Sequence, residues 1–452
     1  MESTATNNDL KIKVTNKQIL SIALPITLAI LIPQINMLTN SIFLGNYTKD
    51  PDALGNAGIT GVFYLIFAVA GHGLNNAIQS VFSRHAGSGN TEAFKTILAQ
   101  GIRISLQFAA VGILFTWCIA PFILQAVATA DAYPKEISFL RIRILGLPFL
   151  YLFLTGNAFL VASLNSKFLM IGFICEALVN ILLDYVLIFG HFGFSEMGFN
   201  GAAVASVIAE VVGFLVVFFV LYKTGLKKKY NLLQSFVYNK IISKAIIKVS
   251  APLVMQYVIS VTTWLIFFFL IEARNNQMDK AISNIMRNVF GLAGVFVWAF
   301  ASTCNVVVSN LMGQKREDKV IVAINKIMLL SISFCSVMVL LLNIFPATFF
   351  NLFGKDDAFV NAGIPVARVV SVGMLFMSVA NIWLNGVTGT GKTKMNLLIE
   401  IVAITVYLIY SWVFVKVHFI SLSMAWSNET VYWLTIFIMS FMFLKSGKWK
   451  TK

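Results

Sequence analysis

Residues 199–222 read FNGAAVASVIAEVVGFLVVFFVLY, an apolar run in which Glu210 is the one charged side chain. The hydrocarbon core of a bilayer is about 30 Å thick, and a helix rising 1.5 Å per residue crosses it in about 20 residues. In lipid, only helices and closed β-barrels provide hydrogen-bond partners for all backbone N–H and C=O groups. This run lacks the alternation of polar and apolar residues that is typical of a barrel strand. Residues 199–222 therefore predict a transmembrane helix.

Runs of the same kind extend outward from this segment in both directions along the chain. Together with it they predict twelve spans: 17–44, 58–83, 94–122, 137–163, 166–190, 199–222, 245–271, 280–310, 320–350, 359–386, 394–416 and 422–444. Most breaks between them carry Gly, Pro, Asn or charged residues, which favour turns. The pattern predicts an all-α membrane protein of twelve transmembrane helices.

The composition of the whole chain agrees with this fold and excludes several classes of protein. Of the 452 residues 58% are apolar and only 12% are charged, whereas about 25% are charged in a typical soluble protein. The four Cys and four His residues are scattered, so they form neither a disulfide framework nor a known metal motif. The polar residues show no nucleophile–base pair, so we expect neither an enzyme nor a resident cofactor.

The distribution of Lys and Arg predicts the orientation of the chain in the membrane. Basic residues are concentrated near both termini and in every second connection between spans. One of these connections belongs to a basic stretch at 223–248. By the positive-inside rule, both termini are expected in the cytoplasm and the protein in the cytoplasmic (inner) membrane. Contact with anionic headgroups accounts for the net charge of +15, so membrane lipids, and no nucleic acid, are the expected partners.

The two halves of the chain resemble each other at a nearly constant spacing. Pro25 in the first span corresponds to Pro252 in the seventh, and the turn after span four corresponds to the turn after span ten. Each half has six spans, an even number, so both halves enter the membrane in the same direction. We therefore expect two six-helix bundles related by a pseudo-two-fold axis along the membrane normal, as in transporters with parallel repeats. The predicted parts are an N-lobe at 1–222, a cytoplasmic basic connector at 223–244 and a C-lobe at 245–452.

The stretch GVTGTGKT, from Gly386 to Thr393, has the letters of a phosphate-binding loop. Such a loop needs a strand before it and an α/β domain around it. Here a long apolar run precedes the motif and another follows within a few residues, so we interpret it as a tight cytoplasmic turn. We expect no nucleotide to bind there.

Ionisable residues inside a span cost about 2.5–3.5 kcal/mol each, so each one calls for a reason. Four acidic residues lie deep in the predicted spans, and they are Glu176, Asp184, Glu210 and Glu400. Glu176, Asn180 and Asp184 follow at i, i+4 and i+8, on one face of span five. We interpret Asp184 as a site for a coupling ion and the three glutamates first as partners in hydrogen bonds between helices. A functional role is the alternative for the glutamates, and Glu176 and Glu210 are candidates for the lining of a polar cavity.

Weaker polar stripes at helical spacing mark other spans. They include Gln256 and Ser260 in span seven and Asn381 in span ten, and Arg287 lies in span eight. Such groups either line a water-filled cavity or join helices by hydrogen bonds. The sequence leaves both interpretations open.

With these features the chain resembles the multidrug and toxic compound extrusion (MATE) family of the multidrug/oligosaccharidyl-lipid/polysaccharide exporter superfamily. The most specific stretch is NILLDYVLIFG at 180–190, followed by MGFNGAAVAS at 197–206. It is similar to the family signature N-x-x-x-D-x-x-x-I-x-G…G-x-x-G-A-A-x-A-[TS] across spans five and six. The resemblance covers the whole chain, and it extends to the turn after span ten.

The resemblance implies a secondary exporter with a cation site in the N-lobe. In the family this site combines a first-span Asp with the Asn and Asp of span five and a Thr of span six. Asn180 and Asp184 match, Ser206 replaces the Thr, and Asn157 resembles a further polar position of the DinF-like branch. Asn40 stands where the family has its first-span Asp, so the repulsion between two carboxylates that favours proton capture is absent. Asp184 is then the lone acidic ligand, for H⁺ or for Na⁺.

The function predicted from these observations is a cation-coupled antiporter that exports amphipathic, organic cationic compounds by alternating access. Asp184 would be its coupling carboxylate, and the protein is expected to act as a monomer. The alternative is a flippase for lipids or lipid-linked glycans, which needs a cationic groove that Arg103, Arg287 and Arg368 would help to form. A passive channel fits a two-lobe repeat with scattered polar stripes less well.

Overall fold

The structure is a computed structural model, and it describes residues 10–50, 52–234, 236–274, 276–351 and 357–450. Within these residues every regular element is a helix and no strand is present, which confirms the predicted all-α fold. Residues 1–9, 51, 235, 275, 352–356 and 451–452 of the predicted lobes and connector lie outside the described residues. The division of the chain into an N-lobe, a connector and a C-lobe stays a prediction.

The twelve predicted spans are all helical, and their observed bounds differ from the predicted ones by a few residues at most ends. In the first half of the chain the helices are α1 Asn16–Gly45, α2 Ala53–Gly87, α3 Ala93–Cys118, α4 Ala120–Val127, α5 Tyr133–Arg143, α6 Leu147–Ala162, α7 Leu169–Phe189, α8 Phe199–Lys223 and α9 Leu226–Lys229. In the second half they are α10 Lys240–Glu272, α11 Gln277–Gly313, α12 Val320–Ile344, α13 Pro346–Asn351, α14 Asp357–Gly389, α15 Thr393–Tyr410, α16 Leu422–Ala425 and α17 Ser427–Lys445.

Among the described residues, eleven helical segments are long and apolar enough to cross a membrane by length and composition. The twelfth predicted span, 422–444, is divided between α16 and α17. Its long helix α17 begins with the polar sequence Ser427–Asn428–Glu429, and this lowers its apolar character relative to the other spans.

Proline residues explain where three predicted spans are interrupted. Proline has no N–H and its ring clashes with the carbonyl four residues earlier, so it belongs in the first turn of a helix. Pro121, Pro148 and Pro346 each lie in the first turn of a new helix, α4, α6 and α13. The break before Pro148 divides the fourth span into α5 and α6, joined by a 3₁₀ turn at Ile144–Gly146. It leaves Arg143 at the end of α5, inside the span.

The described residues form two compact units. The first unit contains Leu10 and residues 28–254, and the second contains residues 11–27 and 255–450. In the first unit α7 and α8 pack closely, because a Cβ atom on Gly201 would lie 2.8 Å from the backbone C and O of Leu187. The apolar core beside them includes Leu44 of α1, Phe139 of α5 and Ile188 of α7.

Candidate cation site

Asp184 lies in α7, the helix that ends at Phe189 and is capped by Gly190. Gly190 adopts a φ of +73°, a left-handed conformation that glycine takes without steric cost. The side chain of Asp184 is fully buried, and neither carboxylate oxygen has a hydrogen-bond partner. An ionised carboxylate in such surroundings carries a large desolvation cost, which a bound proton or cation removes.

Asn180 and Ser206 lie beside Asp184, as the sequence predicts for members of one site. Asn180 is one helical turn before Asp184 on α7, and its Nδ2 donates a hydrogen bond to Ser206 Oγ on α8 at 3.3 Å. Asn180 and Asp184 are four residues apart, so they share one face of α7. The structure therefore brings together the span-five and span-six residues of the predicted site.

Asn40 lies on α1, one turn before Leu44. Leu44 belongs to the same buried cluster as Ile188, which follows Asp184 by one turn on α7. Asn40 Oδ1 is buried without a hydrogen-bond partner, so it is available as an oxygen ligand.

Asn157 belongs to α6, which packs against α8 through the neighbouring Gly156. A Cβ atom on Gly156 would lie 2.6 Å from Val217 of α8. Asn157 is 5% exposed, and neither its amide nitrogen nor its amide oxygen has a hydrogen-bond partner. Buried amides normally make such bonds, because leaving one unpaired costs about 1–3 kcal/mol. Asn157, like Asp184 and Asn40, therefore has a buried side-chain oxygen without a hydrogen-bond partner.

The residue types of this set suit a small hard cation. Carboxylate, amide and hydroxyl oxygens are the ligands that hard cations prefer, and Asp184 alone suffices for a proton. No group of three or more His, Cys, Asp or Glu side chains that would hold a metal ion is found among the described residues. With Asp184 as its one carboxylate, the set carries a single formal negative charge.

Glu210 belongs to a second polar cluster in the first unit, which we call the Arg143 cluster and define as Tyr64, Arg143, Glu176 and Glu210. Glu210 Oε1 accepts hydrogen bonds from Arg143 Nη2 at 2.7 Å and from the Tyr64 hydroxyl at 2.9 Å. The Arg143 guanidinium carbon lies 3.8 Å from the centre of the Tyr64 ring. The interpretation of Glu210 as a partner between helices fits this geometry, but Arg143 and Tyr64 were missed.

Glu176 lies two turns before Asp184 on α7. A Cβ atom on Gly213 of α8 would be 3.3 Å from Glu176 Oε2, so this glycine leaves space for the carboxylate. Oε2 is buried and has no hydrogen-bond partner. The role of Glu176 in hydrogen bonds between helices stays a prediction, and its Oε2 takes no part in one.

In the second unit Gln256, Ser260 and Glu400 belong to one hydrogen-bond network. Gln256 Nε2 donates to Glu400 Oε2 at 3.2 Å, and the Tyr432 hydroxyl donates to Glu400 Oε1. The Ser260 and Tyr432 hydroxyls lie 3.2 Å apart, and Asn396 Nδ2 donates to Gln256 Oε1 at 2.5 Å. Both oxygens of Glu400 are thus occupied, in contrast to those of Asp184.

The remaining predicted residues of the second unit lie outside this network. Asn381 Oδ1 accepts a hydrogen bond from Asn385 Nδ2 at 2.9 Å, one turn later on α14. Arg287 is exposed, and its guanidinium carbon lies 5.5 Å from the centre of the Phe268 ring. The sequence missed Glu429, which is 2% exposed and accepts hydrogen bonds from the Tyr407 hydroxyl and Trp433 Nε1, each at 3.2 Å.

The phosphate-loop-like stretch from Gly386 to Thr393 joins two apolar helices. α14 ends at Gly389, α15 begins at Thr393, and Gly391 has a φ of +83° in the turn between them. A Cβ atom on Gly389 would lie 2.6 Å from Val308 Cβ of α11, so this glycine permits close helix packing. The surroundings are those of a turn between helices, without the strand that a phosphate loop follows.

Comparison with known proteins yields one family model and relatives along nearly the whole chain. The MatE model matches residues 25–186 and again residues 251–413, close to the spacing between Pro25 and Pro252. A relative from Thermotoga maritima, "Probable multidrug resistance protein NorM", is 21% identical over 440 residues, which cover 96% of this chain and 93% of the relative.

Solved structures of similar proteins share the fold. One is an outward-facing multidrug resistance MATE family transporter of the MOP superfamily, with a TM-score of 0.86, 17% identity and coverage of 99% of this chain and 100% of the other. Another is a MOP superfamily transporter from Pyrococcus furiosus, described as having a binding pocket of reverse polarity that suggests a different function. Its TM-score is 0.84, with 17% identity and 100% coverage of both chains.

Proposed function

Since the chain belongs to the MatE family, we propose that it is a multidrug exporter driven by the entry of H⁺ or Na⁺. Two relatives in this comparison carry descriptions as multidrug resistance proteins, one by sequence and one by structure. The protein is a multi-pass membrane protein, and we place it in the cytoplasmic membrane with both termini inside, because the basic residues favour that orientation.

The observation that carries the coupling proposal is the unpartnered carboxylate of Asp184. Both of its oxygens are buried without hydrogen bonds, whereas both oxygens of Glu400 in the second unit accept them. Binding a proton or a sodium ion stabilises such an unpartnered carboxylate more than a carboxylate whose oxygens already accept hydrogen bonds. Asp184 is therefore the first candidate for the ion that powers export.

Coupling requires that the cation bind one orientation of the transporter more tightly than the other. A ligand with equal affinity for two states does not shift the equilibrium between them, however tightly it binds. We propose that entry of the cation at Asp184 changes the packing of α1, α7 and α8, which supply Asn40, Asn180 and Ser206. Alternating access would follow from the difference in cation affinity between the two orientations.

The substrates that we propose are amphipathic organic cations, and the protein would act as a monomer. The flippase alternative is less well supported by the arginines that it would use. Arg103 Nη2 donates to the Phe236 carbonyl at 3.2 Å and its guanidinium lies over the Tyr238 ring. Arg287 lies over the Phe268 ring. Two of the three arginines are therefore already engaged with other groups.

The test is export of a fluorescent cationic dye from proteoliposomes under an imposed proton or sodium gradient, applied separately. The wild-type protein should export dye under at least one gradient. Asp184→Asn keeps the size and hydrogen-bonding shape of the side chain but removes its charge, and it should reduce gradient-driven export at least tenfold. Equal insertion of both proteins, measured by detergent extraction and gel filtration, is the control. Unchanged export by Asp184→Asn would remove Asp184 from the mechanism.

A further inference from the structure

The Arg143 cluster carries more negative than positive charge. Its two glutamates, Glu176 and Glu210, face a single guanidinium, that of Arg143. Arg143 forms an ion pair with Glu210, in which both side chains are at least 85% buried. Among the described residues no salt bridge reaches Glu176. One formal negative charge of the cluster is therefore left without a counter-charge.

The buried polar atoms of the cluster that lack a hydrogen-bond partner are one oxygen of each glutamate and Arg143 Nη1. Glu176 Oε2 and Glu210 Oε2 are both buried, and neither has a hydrogen-bond partner. Glu210 as a residue is 4% exposed. Unpaired buried carboxylate oxygens are costly, so a cluster that holds two of them is incomplete as a purely structural element.

Glycines create the space that these two oxygens occupy. A Cβ atom on Gly146 would lie 1.9 Å from Glu210 Oε2, so a side chain at position 146 would force the carboxylate to move, and a Cβ atom on Gly213 would make a tight contact of 3.3 Å with Glu176 Oε2. The Glu210 carboxylate therefore occupies the place of a Cβ atom at position 146, and the Glu176 carboxylate packs closely against the backbone at position 213.

The charged and titratable groups around Glu176 come from several helices. α2 supplies Tyr64, α5 supplies Arg143, and α8 supplies Glu210. Asp184 is eight residues away on α7 itself, which is about 12 Å along the helix axis. Glu136, two turns before Arg143 on α5, is fully buried and both of its oxygens are unpartnered. No further positive charge among the described residues forms an ion pair with any of these acids.

We propose that Glu176 and Glu210, with Arg143 as a fixed counter-charge, bind one monovalent cation, H⁺ or Na⁺, at a site separate from Asp184. The first unit then takes two cations in all, one at Asp184 and one at the Arg143 cluster. The single excess charge favours a monovalent ion, and the separation of about 12 Å makes the two sites distinct. The count of two cations and the assignment of the second ion to transport rest on the proposed function, whereas cation binding at the Arg143 cluster does not.

The test is equilibrium binding of cations to the purified protein, which needs no gradient and no substrate. Sodium is titrated calorimetrically at alkaline pH, and protons are followed by difference infrared spectroscopy of protonated carboxyl groups as the pH is lowered. Asp184→Asn should bind half as many cations as the wild type, and the remaining half should be lost in the double variant with Glu176→Gln. The sodium and proton arms show which ion occupies the site.

Glu210→Gln is the matched second variant. It frees Arg143 to neutralise Glu176, so it should remove the same cation as Glu176→Gln although it leaves Glu176 in place. Glu400→Gln, which removes a satisfied carboxylate from the second unit, should leave the sodium stoichiometry at the wild-type value. The proposal is overturned if Asp184→Asn alone abolishes binding, or if Glu176→Gln leaves both the sodium stoichiometry and the carboxyl band unchanged. A failure of dye export with intact binding would count against the proposed function alone.

Discussion

Arg143 shows how a single buried residue determines the energetics of its surroundings. Its guanidinium is held between the Glu210 carboxylate and the face of the Tyr64 ring. A buried ion pair contributes little net stability, but breaking it by removing one partner costs about 3–5 kcal/mol, because the other charge is left uncompensated. The consequences of changing Arg143 should therefore depend on whether Glu210 is still charged.

Arg143→Gln should destabilise the protein by about 3–5 kcal/mol for this reason. The double variant Arg143→Gln/Glu210→Gln should regain most of that loss, and the coupling energy follows from a double-mutant cycle of thermal unfolding in detergent. Lys95→Gln is the control, since it breaks an exposed ion pair with Glu92 and should change stability by less than about 1 kcal/mol. Additive effects of the two changes in the Arg143 cluster would contradict this account.

At the scale of single residues, the sequence predicted which side chains share a helix face better than it predicted their hydrogen-bond partners. Helical spacing placed Asn180 and Asp184 on one face, and this information is local to α7. The partners of Glu210 are 67 and 146 residues away in the chain, so they depend on how helices pack. The sequence analysis also did not single out Arg143, because the break before Pro148, which leaves Arg143 at the end of α5, was not predicted.

At the scale of elements the close approach of α7 and α8 positions the cation site. Residue 201 lies at the start of α8, where its Cα approaches the backbone of Leu187 on α7. Asn180 and Ser206 meet across the same pair of helices. The close contact between α7 and α8 therefore requires glycine at position 201.

Gly201→Leu should disturb this contact, because the nearest atoms are backbone atoms that cannot move aside. Overpacking of this kind costs about 1–3 kcal/mol, and we expect a lower midpoint of thermal unfolding together with weaker cation binding. Gly61→Leu is the matched control, because a Cβ atom there meets no atom within 4 Å. Equal unfolding midpoints for the two variants would show that the α7–α8 contact is looser than the structure indicates.

The elements themselves were largely predictable. Runs of about 20 apolar residues are a local signal, and the observed helices follow them along the whole chain. The interruptions at Pro121, Pro148 and Pro346 were not predicted, although proline is visible in the sequence. Pro25, Pro252 and Pro365 lie inside continuous helices, so in this chain the presence of a proline alone does not decide whether a span breaks.

At the scale of the whole molecule the two units differ in how their buried acids are satisfied. In the first unit Asp184, Glu176 and Glu210 retain unpartnered oxygens, and in the second unit Glu400 and Glu429 accept hydrogen bonds at both oxygens. The sequence shows intramembrane acids in both halves and cannot distinguish them, because hydrogen bonding is a property of the packed fold. This asymmetry is the reason for assigning cation coupling to the first unit.

The central claim is that a cation bound at Asp184 and the exported compound move in opposite directions through one transporter. The most direct measurement starts from a substrate gradient with no ion gradient, and records the movement of protons with an internal pH dye and of sodium with a radioactive tracer. The account predicts that export of substrate draws one of these cations inward in the wild type, and that Asp184→Asn abolishes this cation flux. Substrate movement without any cation flux in the wild type, or an undiminished flux in Asp184→Asn, would contradict it.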